Sequence, residues 1–178
     1  DTRKYSLSTG NRSVPSRATR HIYIHTGAHP PVQTPSRQRS NAESQAILFH
    51  TAQLVRAGIV QRSTSNWCSS VLLVPKKNYR PGDVEKNVRF VVDYRNVNTI
   101  STIPANTKMI PRISTILTNF HGTKLWSQSD MSSGYWQLPL SKPSRDKTAF
   151  VTKDSVWAFT RAPMGISSSS GWFLQSVN

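Results

Sequence analysis

The sequence is poor in cysteine, in acidic residues and in long apolar runs. Cys68 is the only cysteine, so neither an internal disulfide nor a cysteine-based zinc site can form, and disulfide-stabilised secreted domains are excluded. No apolar run exceeds four residues, as in residues 71–74, whereas a membrane-spanning helix needs roughly 20. We therefore expect an intracellular protein, cytoplasmic or nuclear, with no membrane partner.

The shortage of acidic residues leaves the chain strongly basic. Eight Asp and Glu oppose 23 Lys and Arg, for a net charge of +15, and such a surface favours a polyanionic partner, nucleic acid first. A ribosomal or chromatin protein can carry the same charge, so the charge indicates binding but names no activity. Residues 1–20 are rich in Ser, Thr and Arg without apolar periodicity, which predicts a flexible, disordered basic arm.

Residues 21–40 are predicted to be an extended linker. Polarity alternates over residues 21–25, and prolines follow at positions 30, 31 and 35; both features are typical of extended backbone. The spacing of four between His21, His25 and His29 would suit a zinc site on a helix. Because the alternation and Pro30 argue against a helix, we give that site little weight.

Two segments after this linker have clear patterns. Apolar positions at helical spacing predict a helix over residues 42–57, with Asn41 as its N-cap and Gly58 as its end. The apolar runs at residues 71–74 and 89–92 predict two antiparallel strands joined by a long loop.

The later segments predict a mixed order of helices and strands. A helix is predicted over residues 110–117, whereas the stretch from Ser167 onward has only weak helix propensity. Strands are predicted over residues 126–130, 148–152 and 156–160. Because helices and strands do not alternate regularly, we predict an α+β fold and not a doubly wound sheet.

One motif is informative about chemistry. A lone carboxylate, Asp130, ends the strand-like run from Leu125, and Tyr135 follows five residues later. Other blocks precede and follow it, at residues 76–77, 88–98, 147–150 and 162–166. In this order the blocks resemble the reverse transcriptase of gypsy-like LTR retrotransposon polyproteins, and the resemblance runs from about His21 to Asn178.

The resemblance implies a partial right-hand polymerase, with a fingers-like region over residues 41–124 and a truncated palm over residues 125–178. It implies RNA-directed DNA synthesis by the complete protein. The implied partners are an RNA or DNA template-primer, deoxynucleoside triphosphates and the remainder of the polyprotein. Nucleotidyl transfer of this kind uses two Mg²⁺ ions held by carboxylates.

The resemblance gives Asp130 the catalytic and metal-binding role, and the backbone carbonyl of Met131 is also expected to face a metal. An isolated Asp followed by Ser132 and Ser133 is equally suited to a turn or a helix cap. The residues alone leave both interpretations open.

The resemblance also implies substrate binding by Lys76, Arg89, Tyr135, Met164 and Gly165. Lys76 would bind the triphosphate through its mobile ammonium group, and Arg89 would bind it through its planar guanidinium group. Tyr135 would lie beneath the sugar of the nucleotide and leave no room for a 2′-hydroxyl. Met164 and Gly165 would line the nucleotide and template side of the active site. Without the resemblance, the two cations suit a solvated hairpin surface and the tyrosine suits a core.

The block at residues 88–98 contains further polar residues that we expect to act locally. Asp93 and Arg95 are predicted to form an ion pair that braces the finger loop. Asn98 and Thr99 are typical of a turn. None of these four is expected to touch substrate.

Several positions depart from the family pattern. Met164 stands where the family usually has Phe, Ser70 replaces a proline, and residues 167–171 replace a helix start containing Asn-Ala-Pro. The sequence reaches Asn178 without a Tyr-x-Asp-Asp turn, so we expect this chain not to hold two Mg²⁺ ions or to polymerise alone. The alternative is a non-catalytic nucleic-acid-binding remnant of a decayed retroelement.

Overall fold

The computed structural model describes residues 21–77, 87–103, 112–128 and 130–177. The predicted basic arm lies outside the described residues, as do the first two residues of the helix predicted over 110–117. Within the described ranges, helices and antiparallel sheets are mixed along the chain, so the predicted α+β class is confirmed. No helix in those ranges is long and apolar enough to cross a membrane.

The larger described sheet has three antiparallel strands in the order β1, β5, β4. These strands are Val60–Arg62 (β1), Phe150–Val151 (β4) and Val156–Phe159 (β5). The turn between β4 and β5 closes where the Thr152 N–H donates to the Ser155 carbonyl over 2.9 Å. The strand predicted over residues 156–160 is therefore confirmed, whereas β1 is too short to stand out in the sequence.

The second sheet is the predicted hairpin. It pairs β2 (Val71–Pro75) with β3 (Val88–Val92) in antiparallel register. Ser69 joins the base of the hairpin to the larger sheet: its N–H donates to the Ala149 carbonyl over 2.9 Å, and its carbonyl accepts the Val151 N–H over 3.2 Å. Backbone hydrogen bonding is therefore continuous from the hairpin into the larger sheet.

Helix α1, Asn41–Arg56, confirms the predicted helix but not its N-cap. Ser40 caps the helix: its hydroxyl accepts the Glu43 N–H over 3.2 Å, and the Glu43 carboxylate accepts the Ser40 N–H over 2.9 Å. Asn41 is not the cap, because only Ser40 has a glutamate three residues later to complete this reciprocal pair. The helix ends at the predicted place, where Gly58 has a φ of 69°.

Shorter helices follow: α2 is Arg95–Ile100, α3 is Ile113–Thr118, α4 is Lys142–Lys147 and α5 is Ser169–Val177, with a 3-10 helix at Gly134–Gln137. α3 confirms the described part of the helix predicted over residues 110–117, and α5 forms despite its weak propensity. The sequence does not predict α2, α4 or the 3-10 helix, because each contains at most two apolar residues and so shows no apolar period. α4 ends at Lys147 with Thr148 as its C-cap, so the strand predicted over 148–152 is shortened to β4.

The strand predicted over residues 126–130 is wrong. Residues 126–128 and 130 have no strand pairing, and the Leu125 and Trp126 side chains are 92% and 71% exposed. A strand needs a neighbour that takes its backbone hydrogen bonds and a surface that covers one face, and the described residues provide neither. The alternating segment at 21–25 also forms only isolated bridges, at Ile22 and His25.

Phe150 is fully buried in the hydrophobic core. Its ring centroid lies 5.5 Å from those of both Phe90 and Phe159. Tyr94 is buried beside them and donates its hydroxyl to the Thr148 carbonyl over 2.9 Å, and burial raises the pKa of this phenol well above its usual value. The core thus joins the hairpin to the larger sheet, so the predicted fingers-like and palm residues pack together.

Candidate functional site

Asp130 lies on an exposed turn that leads into the 3-10 helix. Within this turn Ser133 has a φ of 53°, and its carbonyl accepts the Trp136 N–H over 2.9 Å. The helix begins after Ser133 without a side-chain cap. Asp130 is therefore not the cap of this helix, and its exposed carboxylate makes no hydrogen bond to any other described residue.

The turn after Asp130 is packed against helix α5. The half-buried Tyr135 ring lies 5.4 Å from the Phe173 ring, at an angle of 48°. A Cβ placed on Gly134 would lie 2.7 Å from Phe173 Cε2 and 3.7 Å from Met131 Cβ. Glycine is therefore required for this close approach, and Phe173 fixes the position of Tyr135 relative to the turn.

Gly165 lies in a second turn that is tied to helix α2. Its carbonyl accepts the Asn98 side-chain amide over 2.7 Å, and the Asn98 side-chain oxygen accepts the Ser167 N–H over 3.0 Å. Gly165 has a φ of 94°, and a Cβ there would lie 3.6 Å from the Tyr94 ring. The predicted turn at Asn98 is wrong, since Asn98 lies in α2 and hydrogen-bonds to the distant Gly165 turn.

The predicted ion pair between Asp93 and Arg95 is confirmed. The Arg95 Nη2 lies 2.7 Å from Asp93 Oδ2, and Arg95 Nε donates to Asp93 Oδ1 over 2.9 Å. The side-chain hydrogen bond from Arg95 lowers the pKa of the Asp93 carboxyl. The pair lies at the start of α2, immediately after β3, and its role in bracing the finger loop stays a prediction.

Lys76 and Arg89 lie on the same face of the hairpin. Arg89 is paired with Val74 in the ladder, and the Lys76 N–H continues the pairing by donating to the Asn87 carbonyl over 2.8 Å. Side chains two residues apart on a strand share a face, which makes Lys76 and Arg89 diagonal neighbours, roughly 7–8 Å apart at the backbone. Both side chains are exposed, so this face presents two cations.

Comparison with known sequences identifies relatives of this chain. No family model matches it. It is 35% identical over 136 residues to the retrovirus-related Pol polyprotein from transposon 412 of Drosophila melanogaster, covering 76% of this chain and 11% of that polyprotein. It is 30% identical over 176 residues to the corresponding polyprotein from transposon gypsy of the same organism, covering 99% of this chain and 17% of the polyprotein.

Comparison with solved structures extends the likeness to the fold. The foamy viral protease-reverse transcriptase in complex with RNA/DNA hybrid superposes with a TM-score of 0.73 at 25% identity, over 94% of this chain and 21% of that one. A shorter form of that enzyme in complex with double-stranded DNA gives a TM-score of 0.71 at 26% identity, over 94% of this chain and 28% of that one. The chain is a reverse transcriptase fragment of the gypsy-like LTR retrotransposon family, and it spans less than a fifth of the transposon 412 and gypsy polyproteins.

As a segment of such a reverse transcriptase, this chain has a partial right-hand polymerase fold. The expected site residues fall into three described groups: Lys76 and Arg89 on the hairpin, Met164 and Gly165 on the turn beside α2, and the turn from Asp130 to Tyr135. The chain links the second and third groups, because α5 follows the Gly165 turn and packs on Tyr135. The Met164 side chain is 58% exposed, so it is accessible beside Gly165.

The described residues do not form a complete magnesium site. None of them belongs to a cluster of three or more His, Cys, Asp or Glu side chains that could hold a metal ion. Asp130 offers one exposed carboxylate, and a backbone carbonyl such as that of Met131 is a neutral oxygen donor.

Sequence analysis missed two residues that organise this reverse transcriptase segment. Asn98 lies in the block that carries the family resemblance, but its contact with Gly165 spans 67 residues and leaves no local pattern. Phe173 stands beside Trp172 in the final stretch, and this aromatic pair in an otherwise serine-rich segment was the available signal. Both residues hold turns that carry expected substrate-binding residues.

Proposed function

We propose that this chain is the part of an RNA-directed DNA polymerase that binds the incoming deoxynucleotide and the template-primer and supplies the first metal-binding carboxylate. The observation that carries the proposal is the relationship to the gypsy polyprotein over 99% of the chain, together with the polymerase fold. The net charge of +15 supports a nucleic-acid partner, because neutralising phosphates is the main source of affinity for nucleic acids.

Lys76 and Arg89 are proposed to bind the triphosphate. Their position on one exposed face of the hairpin supports this role, since two cations on one side can engage several phosphate oxygens at once. Arg89 is the better fixed of the two, because it lies inside the ladder opposite Val74. Lys76 lies one residue beyond β2, where the backbone is less constrained.

Tyr135 is proposed to select deoxynucleotides by closing the space where a 2′-hydroxyl would lie. Its contact with Phe173 at 5.4 Å supports this role, because a selecting side chain must be rigid. Met164 and Gly165 are proposed to line the nucleotide and template side, held by the Asn98 hydrogen bonds. Phe173 and Asn98 act as positioning residues.

Asp130 is proposed to be the first carboxylate ligand of the polymerase metals, with the Met131 carbonyl beside it. Its exposure and its lack of a hydrogen bond within the described residues leave the carboxylate available. Asp130 and the Met131 carbonyl would hold Mg²⁺ together with further carboxylates, and the metal would supply Lewis-acid activation of the primer hydroxyl and of the triphosphate. Because the described residues do not complete that site, we propose that the chain alone binds template-primer without extending it.

Template-primer binding tests this proposal. Fluorescence anisotropy of a labelled RNA/DNA primer duplex is measured against the chain across a salt series. The expected result is an affinity that falls steeply and linearly on a log-log plot, with a slope of about −0.9 for each phosphate contacted on a duplex. Absence of binding at low salt would contradict the proposed function, and primer extension by the chain alone that Asp130→Asn abolishes would contradict the proposal that the chain does not extend the primer.

A further inference from the structure

Gln137 contacts the turn that carries the proposed metal ligand. It is the last residue of the 3-10 helix and is half-buried. Its side-chain Nε2 donates to the Ser132 carbonyl over 3.1 Å. Because Ser132 lies two residues after Asp130 and one after Met131, this hydrogen bond ties the exposed turn to the helix that follows it.

The residues after Gln137 pair with the residues that lead into the Gly165 turn. Two backbone hydrogen bonds form a short antiparallel ladder, one from the Leu140 N–H to the Thr160 carbonyl over 3.0 Å and one from the Ala162 N–H to the Leu138 carbonyl over 2.9 Å. Leu138 and Leu140 are both buried, so the backbone that follows Gln137 is held by packing as well as by hydrogen bonds. The ladder ends three residues before Gly165.

The Asp130 turn has few other hydrogen bonds. Among the described residues, only Gln137 and Trp136 donate hydrogen bonds to residues 130–133. The Trp136 N–H bonds to the Ser133 carbonyl and belongs to the start of the 3-10 helix. The Gln137 side chain therefore makes the hydrogen bond that lies nearer to Asp130 along the chain, and it leaves the carboxylate free.

We propose that Gln137 is a positioning residue, which holds the Asp130 turn in one place relative to the ladder that leads to Gly165; this inference rests on the proposed function. Hydrogen bonds that support a metal ligand orient it, and their loss commonly lowers metal affinity or activity about 10- to 100-fold. A neutral amide suits this position, because a cation there would be attracted to the Asp130 carboxylate and would oppose a metal ion.

A chimeric enzyme, in which this chain replaces its counterpart in the gypsy polyprotein, tests the positioning role. Gln137→Met keeps the length of the side chain and removes the donor, and the control Gln53→Met removes an exposed amide from α1. For Gln137→Met, both the fall in kcat and the rise in the Mg²⁺ concentration that gives half the maximal rate should be about 10-fold or more. The KM for the deoxynucleotide should change little, since Lys76 and Arg89 are untouched. Loss of folded enzyme would lower kcat without changing the Mg²⁺ dependence.

Iron-directed cleavage of the same chimera locates the metal without polymerisation. Fe²⁺ takes the place of Mg²⁺, ascorbate and peroxide cleave the backbone beside the bound iron, and mass spectrometry identifies the cleavage sites. Cleavage is expected within residues 130–133, and Gln137→Met should need about 10-fold more Fe²⁺ than Gln53→Met. Equal metal dependence of the two variants would overturn the role of Gln137 and leave the proposed function intact. A folded parent chimera that does not extend a primer would overturn both.

Side-chain amide exchange in the unmodified chain gives a check that does not depend on how the variants fold. Proton exchange at the glutamine side chains is measured by NMR. The hydrogen bond to the Ser132 carbonyl predicts slower exchange at Gln137 than at the exposed Gln53. Equal exchange at the two side chains would contradict the contact on which the proposal rests.

Discussion

Helices α1 and α3 have similar apolar patterns and different surroundings. α1 buries Ala46, Ile47 and Leu54 against the larger sheet and the hairpin. α3 buries none of its residues, and every described residue from 112 to 133 is exposed. We call residues 112–128 and 130–133 the exposed segment and the other described residues the packed region. The difference shows that apolar residues at helical spacing predict a helix, but they do not predict whether other parts of the chain bury its apolar face.

The exposed segment also contains Asp130, the proposed metal ligand. In the packed region, the expected site residues lie on the hairpin, in the 3-10 helix or in a turn held by hydrogen bonds, as Asn98 holds Gly165. Asp130 instead lies on a turn that is packed only at its far end, where Gly134 meets Phe173. The residues expected to bind the nucleotide are thus better positioned than the residue expected to bind the metal.

The largest effect should come from a cavity in the packed region. Phe150→Ala removes a fully buried ring that contacts two others, and such truncations cost about 3–5 kcal/mol of unfolding free energy. The matched change in the exposed segment, Leu117→Ala, should stay within about 0.5 kcal/mol. Urea unfolding measures both, and similar losses would contradict the division into two regions.

The next largest effect on stability should come from Gly134, at the junction between the exposed segment and the packed region. Gly134→Ala would place a Cβ 2.7 Å from the Phe173 ring, and overpacking of this kind costs about 1–3 kcal/mol. A shift of the ring would disturb its contact with Tyr135, so the variant should also weaken selection against ribonucleotides in a complete polymerase. Adding Phe173→Leu should recover the stability but not the selection, and a loss that Phe173→Leu leaves unchanged would argue for backbone strain instead.

The capping box of α1 gives a smaller effect. Ser40→Ala removes the hydroxyl that accepts the Glu43 N–H and should cost about 1 kcal/mol of unfolding free energy. Asn41→Ala is the control, since Asn41 is the first helical residue and not the cap. A larger loss for Asn41→Ala would show that the helix starts one residue later than described.

Acidification should weaken the packed region through Glu43. Hydrogen bonds from Ser40 lower the pKa of this carboxyl below its usual 4.5, so it contributes stability above that pH and loses it as pH falls through the folded pKa. The unfolding free energies of the parent chain and Glu43→Gln should therefore converge below about pH 4.5. A constant difference between pH 7 and pH 3 would mean that Glu43 titrates normally.

The smallest effect on stability should come from polar changes in the exposed segment. Leu125→Ser and Trp126→Ser change side chains that are largely exposed, so each should stay within about 0.5 kcal/mol in urea unfolding. Both should lower the fluorescence of a dye that binds apolar surface, because exposed apolar patches bind such dyes. Unchanged dye fluorescence with lowered stability would mean that the exposed segment is packed.

The parts of the fold that could be predicted from the sequence are those encoded by a local pattern of apolar residues. The hairpin and α1 follow from runs of apolar residues with the correct period, and the β5 strand from a run next to a turn. The strand predicted over 126–130 failed because strand formation depends on a partner elsewhere, which no local pattern encodes. The short helix α4 was missed because its residues, Lys142–Lys147, are polar apart from one proline and therefore show no apolar period.

The candidate site was predictable where the family resemblance covers single residues and not where the fold joins distant ones. Arg89, Asp130 and Tyr135 were predicted from the order of blocks in the sequence. The Asn98 contact with Gly165 joins residues 67 positions apart, and the Tyr135 contact with Phe173 joins two elements with weak signals. Contacts of this kind depend on how the packed region closes.

The most direct measurement is primer extension by a chimeric gypsy reverse transcriptase in which this chain replaces its 30% identical counterpart. We expect the rest of that polyprotein to supply the further carboxylates that a two-metal site needs. We predict extension of a DNA primer on an RNA template, abolished by Asp130→Asn and retained by the matched exposed change Asp154→Asn. A folded chimera that binds template-primer without extending it, or one in which Asp130→Asn remains active, would contradict the proposed role of this chain in polymerisation.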